Sequence, residues 1–105
     1  DYPDIAEKVC SEIRDGKSGL GILVCGTGIG ISISANKIHG IRCALVNDEY
    51  SARMAKCHNN ANVLAFGGRV LGKDLATSIL DAYLGTEFEG GRHQKRIDKI
   101  HGLEE

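Results

Sequence analysis

One cysteine ends an apolar run and is followed by three glycines, in the stretch LVCGTGIG at residues 23–30. Glycines between a strand and a helix let the backbone turn sharply and present its N–H groups outward. The N-terminus of the helix adds further donors and the positive end of a dipole. Gly26, Gly28 and Gly30 therefore predict an anion site, for a phosphate, a carboxylate or a developing oxyanion. The alternative is a tight turn that only packs against its neighbour.

The thiol of Cys25 lies at the start of this turn. Helix N-termini stabilise thiolates, so we expect a lowered pKa and the role of nucleophile or base. The other three cysteines, Cys10, Cys43 and Cys57, are interpreted as small buried apolar residues. No cysteine belongs to a CxxC pair or alternates with histidine at zinc spacing, so no metal site is predicted. Sparse, unpaired cysteines indicate a reducing, cytoplasmic location.

Other glycine-rich and cysteine motifs fit the turn poorly. The Walker pattern needs Gly-Lys-Ser/Thr and the dinucleotide pattern needs GxGxxG, whereas this turn reads GxGxG. Asp48 falls near the place of a ribose-binding acid, so dinucleotide binding stays open. A thiol phosphatase loop would resemble CxxxxxR, but Ile31 occupies the position of that arginine.

Basic residues near the end of the chain predict phosphate recognition. Arg92 and Arg96 are four residues apart and share a helix face, and guanidinium groups bind phosphate well. Arg69 follows two glycines after a predicted strand, which favours the same role. The alternative is a solvated charged face. We interpret two further histidines of this region as exposed surface residues, His93 and His101.

Helices and short apolar strands alternate along the chain. Strands are predicted at residues 20–25, 41–46 and 62–66, with helices before, between and after them. This alternation predicts one α/β domain over residues 1–105 with parallel strands and right-handed crossovers. The first two runs are nearly continuous in apolar residues, which predicts strands buried on both faces.

Strand direction separates the candidate residues into two groups. The carboxyl ends of parallel strands lie on one edge, so Cys25, Thr27, Asp48 and Arg69 are expected to converge there. His58 precedes a strand and falls at the opposite edge, about 17 Å away for a five-residue strand. A site that uses both Cys25 and His58 must therefore take one of them from a second subunit.

Composition excludes several classes of function. The 105 residues are 42% hydrophobic and 26% charged, with a net charge of −1, which argues against nucleic-acid binding. No apolar segment approaches the ~20 residues of a membrane span. No secretory signal pattern is found. From the charge and the short apolar segments, neither a nucleic acid nor a membrane is expected as a partner.

Five segments together resemble one family: DYPDIAEKV, CGTGIGISISANK, IRCALVND, HNNANVLAFGGRV and FEGGRHQKRI. The chain resembles ribose-5-phosphate isomerase B, a family that includes the galactose-6-phosphate isomerase subunits. The resemblance implies an aldose–ketose isomerase of the pentose phosphate pathway that interconverts ribose 5-phosphate and ribulose 5-phosphate. It also implies a Rossmann-like three-layer sandwich with a parallel sheet, no metal or organic cofactor, and a homodimer or homotetramer with active sites shared between subunits.

The resemblance also implies roles for individual residues. Cys25 is expected to be the base that moves a proton between C1 and C2, and Thr27 to place the base or the substrate. His58 is expected to open the furanose ring. Some relatives carry a carboxylate base where this chain has Ile31. The remaining residues are expected to bind substrate, the glycine turn through its amides: Tyr2, Gly26, Gly28, Ile29, Gly30, Asn59, Arg69, Arg92 and Arg96.

The family also has an upstream strand–helix–strand segment that this chain lacks. Three explanations are open: a longer protein, a second chain that supplies the segment, or an inactive remnant. Rival functions are a non-catalytic sugar-phosphate or nucleotide-binding module, a structural subunit of a larger isomerase, and an isomerase of a related hexose 6-phosphate.

Overall fold

The computed structural model describes residues 1–104. Its elements follow the predicted order, and their bounds are α1 Tyr2–Arg14, β1 Gly21–Cys25, α2 Ile29–Asn36, β2 Cys43–Leu45, α3 Glu49–Cys57, β3 Val63–Gly67, α4 Lys73–Leu84 and α5 Arg92–His101. Pro3 occupies the first turn of α1, where its missing N–H costs no helical hydrogen bond. Asp48 caps α3, because its carboxylate accepts from the backbone N–H of Ser51.

The three strands form one parallel sheet in the order β1-β3-β2. Cys25 pairs with Gly67 at the carboxyl end of β1, so the glycine turn lies beside the end of the central strand. Every residue of β3 is buried. The parallel sheet and the alternation of helices and strands confirm the predicted α/β class.

Helices cover both faces of the sheet. On one face α1 and α2 pack against β1 and β3, with Ala6, Cys10, Leu23 and Ile31 in a shared core. On the other face α3 and α4 pack together, and their core centres on a fully buried Tyr83. Two apolar cores on either side of one sheet make the three-layer sandwich that the resemblance implied.

The prediction that the first two strands are buried on both faces is wrong. Ile22 and Val24 of β1 are 37% and 48% exposed. β2 is only partly buried, and its Leu45 is 37% exposed. Both strands lie at edges of the sheet, and only the central β3 is covered throughout. Across residues 1–104, no helix is both long enough and apolar enough to cross a membrane.

Candidate active site

The thiol of Cys25 lies against the first turn of α2. Its Sγ accepts a hydrogen bond from the backbone N–H of Gly28 at 3.2 Å. Partial burial raises the pKa of this thiol, but the backbone N–H groups of Ile31, Gly28, Thr27 and Gly30 outweigh it and lower the pKa overall. The turn therefore presents N–H donors to the Cys25 sulfur and favours its thiolate form.

Two other cysteines have raised rather than lowered pKa values. Burial raises the pKa of the Cys10 thiol. Burial, with a smaller contribution from Cys10, raises the pKa of Cys43 to about 12. The contrast distinguishes Cys25 from these two thiols, whose burial suits a packing role.

Thr27 completes the start of α2. The residue that caps this helix is Gly28, which has no side chain to accept a hydrogen bond. The hydroxyl of Thr27 takes that role instead and accepts from the N–H of Ile29 at 3.2 Å. Thr27 thus holds the turn in the shape that aims donors at the Cys25 sulfur.

The backbone of the glycine turn also packs tightly against the central strand β3. The alternative given above, a tight turn that packs against its neighbour, is therefore correct for part of this segment. Gly28 has φ of +81°, and a Cβ there would lie 2.7 Å from the carbonyl carbon of Phe66. A Cβ on Gly67 would lie 2.6 Å from the carbonyl carbon of Thr27. Backbone meets backbone at both positions, so neither can carry a side chain without moving β3 or the turn.

Two side chains flank the turn on its open side. The ring of Tyr2 covers Gly30, where an added Cβ would lie 2.6 Å from Cζ of the ring. The Arg69 side chain passes Gly26 at ordinary contact distance, and its backbone N–H donates to the carbonyl of Gly26 at 3.1 Å. The structure thus brings together one group of predicted residues: Tyr2, Cys25, Gly26, Thr27, Gly28, Ile29, Gly30 and Arg69.

A second group of predicted residues lies at the other end of the sheet. His58 ends α3 and Asn59 follows it, before β3 begins. Arg42 holds this loop: its Nε donates to the carbonyl of Asn59 at 3.2 Å, and its Nη2 donates to that of Asn60 at 2.8 Å. Asn60 has φ of +45°, so the chain turns sharply just after Asn59.

His93 also lies in this second group, although the sequence analysis did not place it there. It is 3% exposed, so its interpretation as a surface residue is wrong. Its ring stacks on that of His58, with centroids 4.2 Å apart and planes 15° from parallel. Burial, with help from the positive charges nearby, lowers the pKa of His93, which therefore favours its neutral form.

The two predicted arginines of α5 flank His93. Arg92 and Arg96 are exposed, and both lower the pKa of His93 by their charge. Among residues 1–104, neither arginine forms an ion pair with a carboxylate. Their guanidinium groups are thus available to an incoming anion beside His58.

β3 runs between the two groups, from the His58 end to the Cys25 end. Five strand residues span about 17 Å, so Cys25 and His58 of one chain do not meet. A concave surface of about 770 Å³ lies near the second group, and its lining includes Arg42 and Asn59 but not Cys25. The two groups are therefore separate surfaces of one chain.

A family model described as Ribose/Galactose Isomerase matches residues 1–100. The chain belongs to this family. Ribose-5-phosphate isomerase B of Escherichia coli is 50% identical over the whole chain, which covers 70% of that protein. D-erythrulose-4-phosphate isomerase of Pectobacterium atrosepticum is 52% identical over 94% of this chain and 65% of that protein.

Solved structures of the family agree with the fold. Ribose-5-phosphate isomerase B of Clostridium thermocellum superposes with a TM-score of 0.97, at 51% identity over 98% of this chain and 70% of that one. The match confirms the Rossmann-like α/β architecture and the family resemblance seen in the sequence.

Proposed function

We propose that this chain catalyses aldose–ketose isomerisation of ribose 5-phosphate and ribulose 5-phosphate, through an enediolate. The observation that carries the proposal is the Cys25 thiol, with its lowered pKa, held by backbone N–H groups at the start of α2. Membership of the Ribose/Galactose Isomerase family supports it. The four free cysteines suit a reducing cytoplasm, where we place this reaction.

The chemistry begins with the ring-closed sugar. His58 transfers a proton as the furanose opens, which frees the C1 aldehyde. The Cys25 thiolate then removes the proton from C2, and the negative charge moves onto O1. Return of the proton from sulfur to C1, with transfer of the O2 proton to O1, gives the ketose without any net change in atoms or electrons.

The glycine turn contributes to this reaction in two ways. Backbone amides between Gly26 and Gly30 stabilise the charge that develops on the enediolate oxygen, and loss of one oxyanion-hole donor typically costs about 3–4 kcal/mol. A base whose pKa approaches the working pH combines sufficient ionisation with sufficient basicity. The N–H groups of the turn therefore have two roles in the reaction: they lower the Cys25 pKa, and they stabilise the enediolate oxygen.

The ring-opening histidine and two phosphate-binding arginines of each site come from a second subunit, from the end of its sheet opposite to Cys25. Arg92 and Arg96 lie beside His58, while Arg69 lies beside Cys25. A sugar phosphate that contacts both groups therefore needs two chains, with the Cys25 end of each facing the His58 end of the other. We propose a homodimer, alone or within a tetramer, in which each active site takes Cys25 from one subunit and His58 from its partner.

The first test measures ribulose 5-phosphate formation without added metal, in the purified protein and in Cys25→Ser. We expect the substitution to lower kcat by about 10²–10⁴-fold, the usual contribution of a positioned base. Cys43→Ser removes a thiol of raised pKa and is the matched control, with activity retained. Phosphate binding without turnover would instead identify a non-catalytic module, and turnover only with a second polypeptide would identify a supporting subunit.

The second test addresses the shared site. Inactive Cys25→Ala and His58→Ala proteins are mixed under conditions in which subunits exchange. A hybrid dimer contains one intact site, so partial activity is expected. No recovery after demonstrated exchange would refute the assignment of His58 and Cys25 to different subunits.

A four-carbon sugar phosphate is the second candidate substrate. The 52% identity to D-erythrulose-4-phosphate isomerase favours it, and the carbonyl chemistry is the same. Comparison of kcat/KM for ribose 5-phosphate, erythrose 4-phosphate and a hexose 6-phosphate separates these substrates. A preference for the four-carbon or six-carbon sugar would replace the substrate but leave the role of Cys25 in place.

A further inference from the structure

A thiol, an imidazole and a carboxylate meet where α3 ends. Candidate ligand atoms of Cys57, His58 and Glu89 all lie within 4.8 Å of one another. The Sγ of Cys57 is 3.4 Å from Oε2 of Glu89. These three residue types are the ordinary ligands of zinc in proteins.

The backbone fixes this arrangement. Glu89 donates its N–H to the carbonyl of Cys57 at 3.0 Å, which holds the two ligands side by side although 32 residues separate them. His58 follows Cys57 directly and donates its N–H to the carbonyl of Met54 at 2.9 Å. The stacked ring of His93 restricts rotation of the His58 imidazole. The cluster is therefore partly organised before any ligand arrives.

A buried polar atom beside the cluster is a second, independent observation. Among the side-chain atoms of residues 1–104, Nε2 of His93 is the one buried nitrogen or oxygen without a hydrogen-bond partner. It lies 3.8 Å from Oε1 of Glu89, just beyond hydrogen-bond distance. Ligating carboxylates are commonly held by such outer partners, and a small rotation of Glu89 onto a cation would bring its free oxygen to His93.

We propose that Cys57, His58 and Glu89 form an inhibitory site for Zn²⁺ or a similar thiophilic divalent cation. Zinc–ligand bonds of about 2.0–2.3 Å place the ligand atoms of a tetrahedral site roughly 3.3–3.8 Å apart. The Cys57–Glu89 separation of 3.4 Å already falls in this range. Three protein ligands leave a fourth position for water or a substrate oxygen.

The inhibitory part rests on the proposed function, in which His58 opens the sugar ring. An imidazole whose nitrogen holds a cation cannot exchange a proton there. Binding also displaces the proton of the Cys57 thiol, so it strengthens as pH rises. The cation would thus block ring opening without touching Cys25 of the same chain.

Direct binding is tested with Co²⁺, whose bond to a thiolate gives a charge-transfer absorption band. We expect the band in the unmodified protein and in Cys25→Ser, and its loss in Cys57→Ser. Cys43→Ser is a further control that should keep the band, and circular dichroism checks that each variant is folded. A band that survives in Cys57→Ser, or no band in any protein, would overturn the site.

Isomerase activity provides a second test of the site. Zn²⁺ is expected to inhibit the isomerase, and a chelator to restore it. Cys57→Ser should keep the metal-free activity and raise the half-inhibitory Zn²⁺ concentration at least about 10-fold, because loss of even an outer partner of a metal ligand weakens binding about 10–100-fold. Equal inhibition of Cys57→Ser and the unmodified protein would refute the inhibitory role. The Co²⁺ spectrum does not depend on turnover, so failure of the proposed function would be seen separately.

Discussion

Substitution of Gly28 by alanine tests the lock between the glycine turn and the central strand. An L-residue in the left-handed region costs about 1–2 kcal/mol. The new Cβ would also lie 2.7 Å from the Phe66 carbonyl carbon and 2.6 Å from a methyl group of Leu45. Backbone atoms cannot rotate away, so overpacking adds about 1–3 kcal/mol. We expect Gly28→Ala to lower the free energy of unfolding by about 2–5 kcal/mol.

Gly16 is a matched control for this substitution. Its φ of +79° is nearly that of Gly28, but a Cβ there would meet nothing within 4 Å. Gly16→Ala should therefore cost only the conformational part, about 1–2 kcal/mol. Urea unfolding followed by circular dichroism, at one protein concentration for all variants, measures both values. Equal losses in the two variants would show that the turn is not locked against Phe66.

The same substitution has a chemical consequence. The N–H of Gly28 donates to the Cys25 sulfur, so displacement of the turn should raise the Cys25 pKa. The pH dependence of alkylation by iodoacetamide measures this pKa. Gly16→Ala should leave it unchanged, because Gly16 lies at the end of α1 and contacts no part of the turn. An unshifted Cys25 pKa in Gly28→Ala would contradict the assigned role of this amide.

Two further predictions concern the pH dependence and the second group of site residues. In the proposed mechanism the Cys25 thiolate is the base, and its pKa is lowered. The value of kcat/KM should therefore rise with pH and level off where an ordinary thiol is still mostly protonated. A rise that continues to the pKa of an ordinary thiol would contradict this. Arg42→Lys should lower kcat, because lysine cannot hold the carbonyls of Asn59 and Asn60 together, while the alkylation rate of Cys25 stays the same. An unchanged kcat would show that this loop does not need Arg42.

Much of the fold could be predicted from local patterns. The alternation of apolar runs with amphipathic segments correctly predicted eight elements and parallel strands. The stretch ISISANKI predicts a helix over residues 31–38 that stops at His39-Gly40, whereas α2 ends at Asn36. A side-chain contact accompanies this end, because the Asn36 amide bonds both backbone groups of Cys43, seven residues further along the chain. Edge positions in the sheet are also set by long-range pairing, so the exposure of Ile22 and Val24 could not be predicted from their apolar type.

The site was predictable where chemistry is local. A thiol, glycines and a helix start that are adjacent in sequence must also be adjacent in space, which is why Cys25 and its amides were found. His93 was missed because its neighbours are charged. One signal was available: His93 and the buried Ile97 are four residues apart and share a helix face. The contact between Cys57 and Glu89 joins segments 32 residues apart, and no local spacing encodes it.

The interlocked backbones at Gly28 and Gly67 also limit how the protein can be redesigned or can diverge. Neither position accepts a side chain without displacing its backbone neighbour, so the shape of this turn is tightly constrained. In the isomerase proposed above, new preferences for shorter or longer sugars must then arise from movable side chains around the turn, such as the 47%-exposed Tyr2. A library that aims to change substrate choice should hold both glycines constant and diversify Tyr2, Ile29 and Asn59.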